Sequence, residues 1–345
     1  MSDHLPEQFR FSHEYSLYLN DMLSSIVVEG GQARIFEVEF ALDNAAQAAE
    51  IEGLSSEAFL DWLTSRGHED VVEQVLFRQS VVALLSDFCH FVFEGLSCSR
   101  KGKLTVAYAL LRKPLKDNLF YLEWILADLP DFLKVFRCDG PVGLERTLKD
   151  RAKRLAIIKA AVQRAAPAQL FDAEFIETLR YDKSVSYGFA SLWDQANHLI
   201  TTHRHLKTDN QNFNFIFSGD DGRMDQWRHI YERLPMLLNY AVHLVEALVG
   251  TFATRGSTED DPAILRRDVG FLLWSEDLIE SDAESASPGT MEGLVRTVLP
   301  DCPGCLCGIP LSKENLRLIY EELKIKCPKC STEIQVGGGG EKGRH

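Results

Sequence analysis

A chain of 345 residues with 45% apolar side chains, including 20 Phe and 5 Trp, can bury a sizeable core. Its formal net charge of −14 excludes a chain-wide nucleic-acid surface, because phosphate contacts need clustered Lys and Arg. A disulfide framework is excluded too: five of the eight cysteines fall between Cys302 and Cys330, and Cys89, Cys98 and Cys138 are scattered.

The charge is unevenly placed. Residues 1–95 hold 17 acids and 4 bases, a balance of −13, whereas residues 96–165 hold 7 acids and 15 bases, a balance of +8. The two segments are expected to neutralise one another across an internal interface. The start, Met-Ser-Asp-His-Leu-Pro-Glu, lacks the positive charge and apolar run of a signal peptide. The most apolar stretches, 81–96 and 104–129, are interrupted by Asp87, His90 and Glu94, and by Arg112, Lys116 and Asp117, so no spanning helix is expected. These features point to a soluble, reducing, cytoplasmic setting without a membrane partner.

In chain order, Phe11, Tyr15, Leu19, Met22 and Ile26 recur at helical spacing up to Gly30-Gly31. Residues 35–42 alternate Phe36, Val38, Phe40 and Leu42 with Glu37 and Glu39, a strand pattern beside an Ala-rich helical flank. Ser55 is the expected N-cap of a short helix to Leu63. Residues 69–96 and 104–129 form the expected core pair, with Pro114 kinking or restarting the second. A basic helix over 141–166 carries Arg146, Lys149, Arg151, Lys153, Arg154, Lys159 and Arg164. Helices over 172–180, 184–206 and 225–254 come next, the last with Pro235 inside it, and residues 212–219 alternate as a short strand or extended loop. Residues 256–300, with 10 acids and 3 bases, read as an acidic linker around one helix at 263–279, and a flexible tail begins at Gly337.

The strongest chemical signal is Cys302-Pro-Gly-Cys305, 21 further residues, then Cys327-Pro-Lys-Cys330. Each pair can turn two thiolates toward one ion, and two pairs close a tetrahedron with no place for substrate, which is the mark of a structural Zn²⁺. Cys307 competes with this set, but matched spacing favours Cys302, Cys305, Cys327 and Cys330 as the ligands. Ser312 can cap a helix to about Lys324 that fills the gap.

Three further groups carry potential chemistry. Asp194, His198, Thr202 and His205 would share one helical face, able to bind a metal or to pair an acid with a base. Arg112, Lys116 and Glu123 interrupt an apolar helix and must be paired or lead to a site. Arg223 and His229 stand at the start of the last long helix.

These residues carry two resemblances. The Cys-Pro-x-Cys pairs resemble the zinc ribbons, which bind DNA, RNA or protein. The run from Leu111 to Trp124, then Tyr181, Ser184 and His198, then Trp227, Tyr231 and the run from Leu234 to Tyr240, resembles bacterial helical families of the HEPN type. That superfamily includes metal-independent ribonucleases and abortive-infection proteins of antiviral defence, whose motif is Arg, four to six residues, then His. The motif is met by Arg223 and His229. The resemblance implies that His229 serves as acid–base and Arg223 stabilises the pentavalent phosphate, at a site built across a dimer.

The expected architecture is mainly α: a multi-helix N-terminal domain (1–255), the acidic linker (256–300), a small zinc ribbon (301–336) and the tail (337–345). The leading expectation is a regulatory or defence-type protein, HEPN-like and able to cleave RNA. Its alternatives are a non-enzymatic adaptor binding protein or nucleic acid through the ribbon, and a metal-dependent enzyme using Asp194, His198 and His205. A protein partner or a second copy of the chain is expected, with RNA a further candidate.

Overall fold

The computed structural model describes residues 3–42, 44–167, 170–202, 207–211, 213–214, 219–253, 261–279, 292–293, 295–296, 299 and 301–336. Its helices begin with α1 (Arg10–Gln32), α2 (Ala45–Ile51), α3 (Ser56–Ser65), α4 (Glu69–Arg100), α5 (Leu104–Arg112), α6 (Leu119–Ala127), α7 (Leu129–Lys134), α8 (Gly140–Lys149) and α9 (Arg151–Ala165). The series continues with α10 (Ala173–Tyr181), α11 (Phe189–Asn197), α12 (Asp220–Tyr231), α13 (Leu234–Val249), α14 (Pro262–Ile279) and α15 (Lys313–Glu322). Among the described residues, strand is confined to β1 (Lys324–Lys326) and β2 (Glu333–Gln335), paired antiparallel with Ile325 opposite Ile334.

The mainly α expectation holds, and the helices obey their apolar periodicity. Tyr15, Leu19, Leu23 and Ile26 form the buried stripe of α1. Every residue of α13 from Leu234 to Val245 is buried, as befits a central helix packed by α1, α6, α9 and α14. By length and hydropathy alone α4 could cross a membrane, contrary to the expectation for 81–96. Here it packs Val81, Leu85, Phe88, Val92 and Leu96 into the core against α1, α5 and α6.

Prolines decide several boundaries. Pro114, which lacks the amide donor, falls in a π-helical turn (Lys113–Asn118) joining α5 to α6. Pro235 sits in the first turn of α13, where a missing amide is harmless, so the single helix expected over 225–254 is two. The basic helix is also divided: Asp150 accepts from the amides of Ala152 and Lys153 and caps α9.

The basic segment is neutralised mostly by its neighbours rather than by the N-terminal third. Lys153 meets Asp131 at 2.9 Å, Arg154 meets Glu177 at 2.6 Å and Lys159 meets Glu174 at 2.6 Å. Lys113 to Asp87, at 2.7 Å, is the described ion pair that joins the two segments as expected. The stripe residue Glu123 is fully buried and paired with fully buried Arg180 at 2.6 Å.

The strand pattern at 35–42 forms no ladder. Arg78 donates to the carbonyls of Ile35 and Glu37, so side chains from α4 satisfy this extended segment. Its alternating Val38 and Phe40 pack on a small satellite cluster around Leu63, Val71 and Val72. The helix expected inside an acidic linker is a core element: Leu265, Val269, Phe271, Leu272, Leu273, Trp274 and Leu278 of α14 are buried. Each such burial is worth roughly 1.5–3 kcal/mol relative to exposure, which fixes α14 against α1 and α13. Residues 215–218 of the second strand pattern, 280–291 of the linker and the tail 337–345 lie outside the described residues.

Candidate metal centre

Two knuckles of the same construction face one another. In the first, the amide of Cys302 donates to the Cys307 carbonyl at 3.0 Å and that of Leu306 to the Cys302 carbonyl at 2.8 Å. In the second, the Cys327 amide donates to the Thr332 carbonyl at 3.0 Å and the Ser331 amide to the Cys327 carbonyl at 2.8 Å. Pro303 and Pro328 preset φ at the second position of each turn. Leu306 and Ser331, the residues after each second cysteine, both take positive φ, 55° and 60°. Gly304 lets the knuckles close, since a Cβ there would lie 2.7 Å from Thr332 Oγ1 and 3.4 Å from Cys330 Sγ.

The sulfur atoms of Cys302, Cys305, Cys327 and Cys330 all lie within 4.8 Å of one another. Cys302 and Cys330 are 3.4 Å apart and Cys305 and Cys327 3.6 Å. A tetrahedral thiolate site with metal–sulfur bonds of about 2.3 Å has edges of about 3.8 Å, so the four thiols fit one ion. Cys302 and Cys327 are buried, Cys305 is half-buried and Cys330 exposed. Burial works to raise the Cys327 thiol, but the amides of Cys330 and Lys329 and neighbouring thiols outweigh it and bring it down to about 6. The hydroxyl and amide of Thr332 lower Cys330 as well. The second knuckle is therefore poised toward the thiolates that metal binding requires.

The matched construction also places Cys307. It occupies the place that Thr332 holds in the other knuckle, two residues past a ligand. Thr332 Oγ1 lies 3.1 Å from Cys330 Sγ, and Cys307 Sγ lies 3.3 Å from Cys305 Sγ. Cys307 Sγ also lies 3.5 Å from Cys327 Sγ, so its thiol stands against one cysteine of each knuckle. Cys307→Ser is expected to retain one metal ion per chain by elemental analysis, and loss of the metal would make Cys307 a ligand. The hexapeptide repeat, Cys-Pro-Gly-Cys-Leu-Cys against Cys-Pro-Lys-Cys-Ser-Thr, is the signal in the sequence for this shared construction.

The knuckles are tied to the helical body. Ser312 caps α15 as expected. Buried Asn315 accepts from the Lys326 amide at 3.1 Å and donates to the Pro310 carbonyl at 3.1 Å, joining helix, strand and first knuckle. Tyr320 projects from α15 into an aromatic nest of Phe11, Tyr15 and Tyr18 on α1, with centroids 5.4, 6.4 and 6.1 Å away. A Cβ at Gly270 of α14 would lie 2.5 Å from the Tyr15 ring and 2.9 Å from the Tyr320 ring. That glycine is what allows the three helices to meet.

The other candidate groups are not assembled. Arg223 lies inside α12, which begins at Asp220; it is exposed and paired with Asp220. It lines a surface cavity with Lys101, Gly102 and Trp227, and His229 is not part of that lining. His229 is six residues further along the same helix and so points about 240° away. Its Nδ1 meets the Tyr108 hydroxyl at 3.2 Å, and Phe189 packs edge-on against its ring at 5.0 Å. Burial, then the charge of Arg233, pushes the imidazole down to about 3, which keeps it neutral. The expected Asp194 face is also broken. α11 ends at Asn197, His198 is extended, Asp194 is paired with Lys183, and His205 lies outside the described residues.

Compared with known proteins, the chain matches no family model, no curated protein and no solved structure.

Proposed function

We propose that this protein is a non-enzymatic adaptor, a helical body carrying a structural zinc ribbon whose first knuckle binds a protein partner. Zinc is the ion that a closed set of four thiolates favours. The observation that carries the adaptor reading is the combination of that closed set with Leu306, which is 82% exposed at the knuckle tip. A leucine at positive φ is costly where glycine would be free, yet here it holds a large apolar side chain in solvent. Such a side chain is the kind of anchor that fills a pocket on a partner surface.

The ribonuclease reading, with the HEPN-like and antiviral-defence assignments that accompany it, draws less support. Its acid–base group would be a neutral imidazole wedged between Tyr108 and Phe189, on a different side of α12 from Arg223. The metal-enzyme reading lacks the helical face it requires.

Incubation of the purified, zinc-loaded protein with single-stranded RNA, with and without chelator, tests the choice. The adaptor reading expects no cleavage in either arm, and it expects Leu306→Asp to keep zinc while losing the partner that the wild-type chain retains. RNA cleavage that survives chelator and disappears in His229→Ala would overturn it.

A further inference from the structure

A cavity of about 560 Å³ opens beside the π-helical turn, between α6, α8 and the start of α9, and is lined by Arg112, Lys116, Asp117, Tyr121, Arg154 and Tyr181 among others. Half of the charged residues around it are accounted for. Lys149 pairs with Glu145 at 2.6 Å and Arg154 with Glu177 at 2.6 Å. Arg112, Lys116 and Asp117 differ. All three are half-buried, and none of their side chains has a hydrogen bond or ion pair among the described residues. Charged groups withdrawn from water are rarely left so.

Arg112 and Lys116 stand four residues apart, so two cations crowd one wall. Burial, then the Arg112 charge, lowers the Lys116 ammonium, while burial raises the Asp117 carboxyl. Asp117 and Asp194 oppose the first shift, and the Arg112 and Lys116 charges oppose the second, so burial outweighs the opposite charges at both groups. The wall itself is rigid. Fully buried Arg180 donates from Nε to the Leu115 carbonyl at 2.6 Å, and the Tyr181 hydroxyl donates to the Lys116 carbonyl at 2.5 Å. The π-helical turn that carries Lys116 is thus braced from within, as a preorganised site requires.

We propose that this cavity binds the phosphate group of a small phosphate ester. The planar guanidinium of Arg112 offers a fork for two phosphate oxygens, and Lys116 supplies a point charge beside it. The volume lies within the roughly 300–1,000 Å³ of small-molecule sites, so it holds more than inorganic phosphate alone.

Calorimetric titration of the full-length, zinc-loaded protein with inorganic phosphate, adenosine 5′-monophosphate, adenosine and succinate tests the assignment. Phosphate and the monophosphate should bind, more weakly as salt rises, while adenosine and succinate should not. Arg112→Met with Lys116→Met keeps the apolar stems and should weaken the monophosphate about tenfold or more. Arg228→Met, which removes an exposed pair with Asp225, should leave binding unchanged. In the wild-type protein the monophosphate should slow amide exchange over residues 112–118, a readout that does not depend on any variant folding. The proposal is overturned by absence of phosphate and monophosphate binding, by succinate binding as tightly as phosphate, by undiminished binding in a folded double variant, or by unchanged exchange over 112–118.

Discussion

Cys327→Ser is expected to release the metal, unfold residues 301–336 and lower the thermal stability of the helical body as well. A module of one ten-residue helix and two three-residue strands cannot build its own core. Metal binding at such sites, with apparent free energies of about 10–16 kcal/mol for zinc, serves as the folding energy of the module. The coupling to the body comes from packing. Leu316, Ile319, Ile325 and Val336 are buried in one continuous cluster with Tyr15, Leu19 and Val269. Loss of Tyr320 from its nest uncovers the Tyr15 and Phe11 rings, each aromatic contact being worth about 0.5–1.5 kcal/mol beyond its area. A loss of that size shifts the melting temperature of a body this large by roughly 2–4 °C per kcal/mol. Circular dichroism melts of the variant, and of wild type with chelator, should both show the shift. An unchanged body transition would mean that the ribbon only rests on α1 and α14.

Arg180→Met is expected to destabilise the body by about 3–5 kcal/mol, the range for removing one partner of a buried ion pair. Arg180 and Glu123 are both fully buried, and the guanidinium also holds the Leu115 carbonyl and the Tyr181 hydroxyl. Burial already raises the Glu123 carboxyl, with the Arg180 charge opposing it. Without Arg180 that carboxyl rises further. A raised folded-state pKa gives stability that is present below the unfolded value near 4.5 and lost as pH climbs through the folded value. The deficit of Arg180→Met should therefore be smaller at pH 5 than at pH 8. Glu123→Gln leaves a buried guanidinium that cannot shed its proton, so its deficit should show no such relief, and Glu123→Leu with Arg180→Met should recover much of the loss. Denaturant melts at the two pH values read all three outcomes, and a pH-independent deficit in Arg180→Met would show that water reaches Glu123.

The parts legible in the sequence are those fixed by local chemistry. The four clustered cysteines, the Ser312 cap and the buried pairing of Glu123 can be read from spacing and from the cost of an unpaired charge. What the sequence hides is decided by contacts far along the chain. α11 stops at Asn197 because residues 198–201 turn to bond with residues 208–214: Thr208 donates to the Thr201 carbonyl at 2.9 Å and Asn214 to that of Leu199 at 2.9 Å. The β-branched run Ile200-Thr201-Thr202 offers little resistance to that exchange. Composition misleads at 256–300, where acidic flanks mask the apolar face of α14. Periodicity misleads at 35–42, where an alternating segment finds its partners in Arg78 and Gln79 instead of a second strand. Within one chain Arg223 and His229 are turned apart for a similar reason, because α12 already begins at Asp220.

The central proposal is a closed four-thiolate zinc centre stapled into the helical core, and zinc-edge X-ray absorption on the purified full-length protein tests it most directly. The expected result is one zinc per chain with four sulfur neighbours at about 2.3 Å and no nitrogen or oxygen ligand. A shell holding a light-atom ligand, fewer than four sulfurs, or no zinc at all would contradict it.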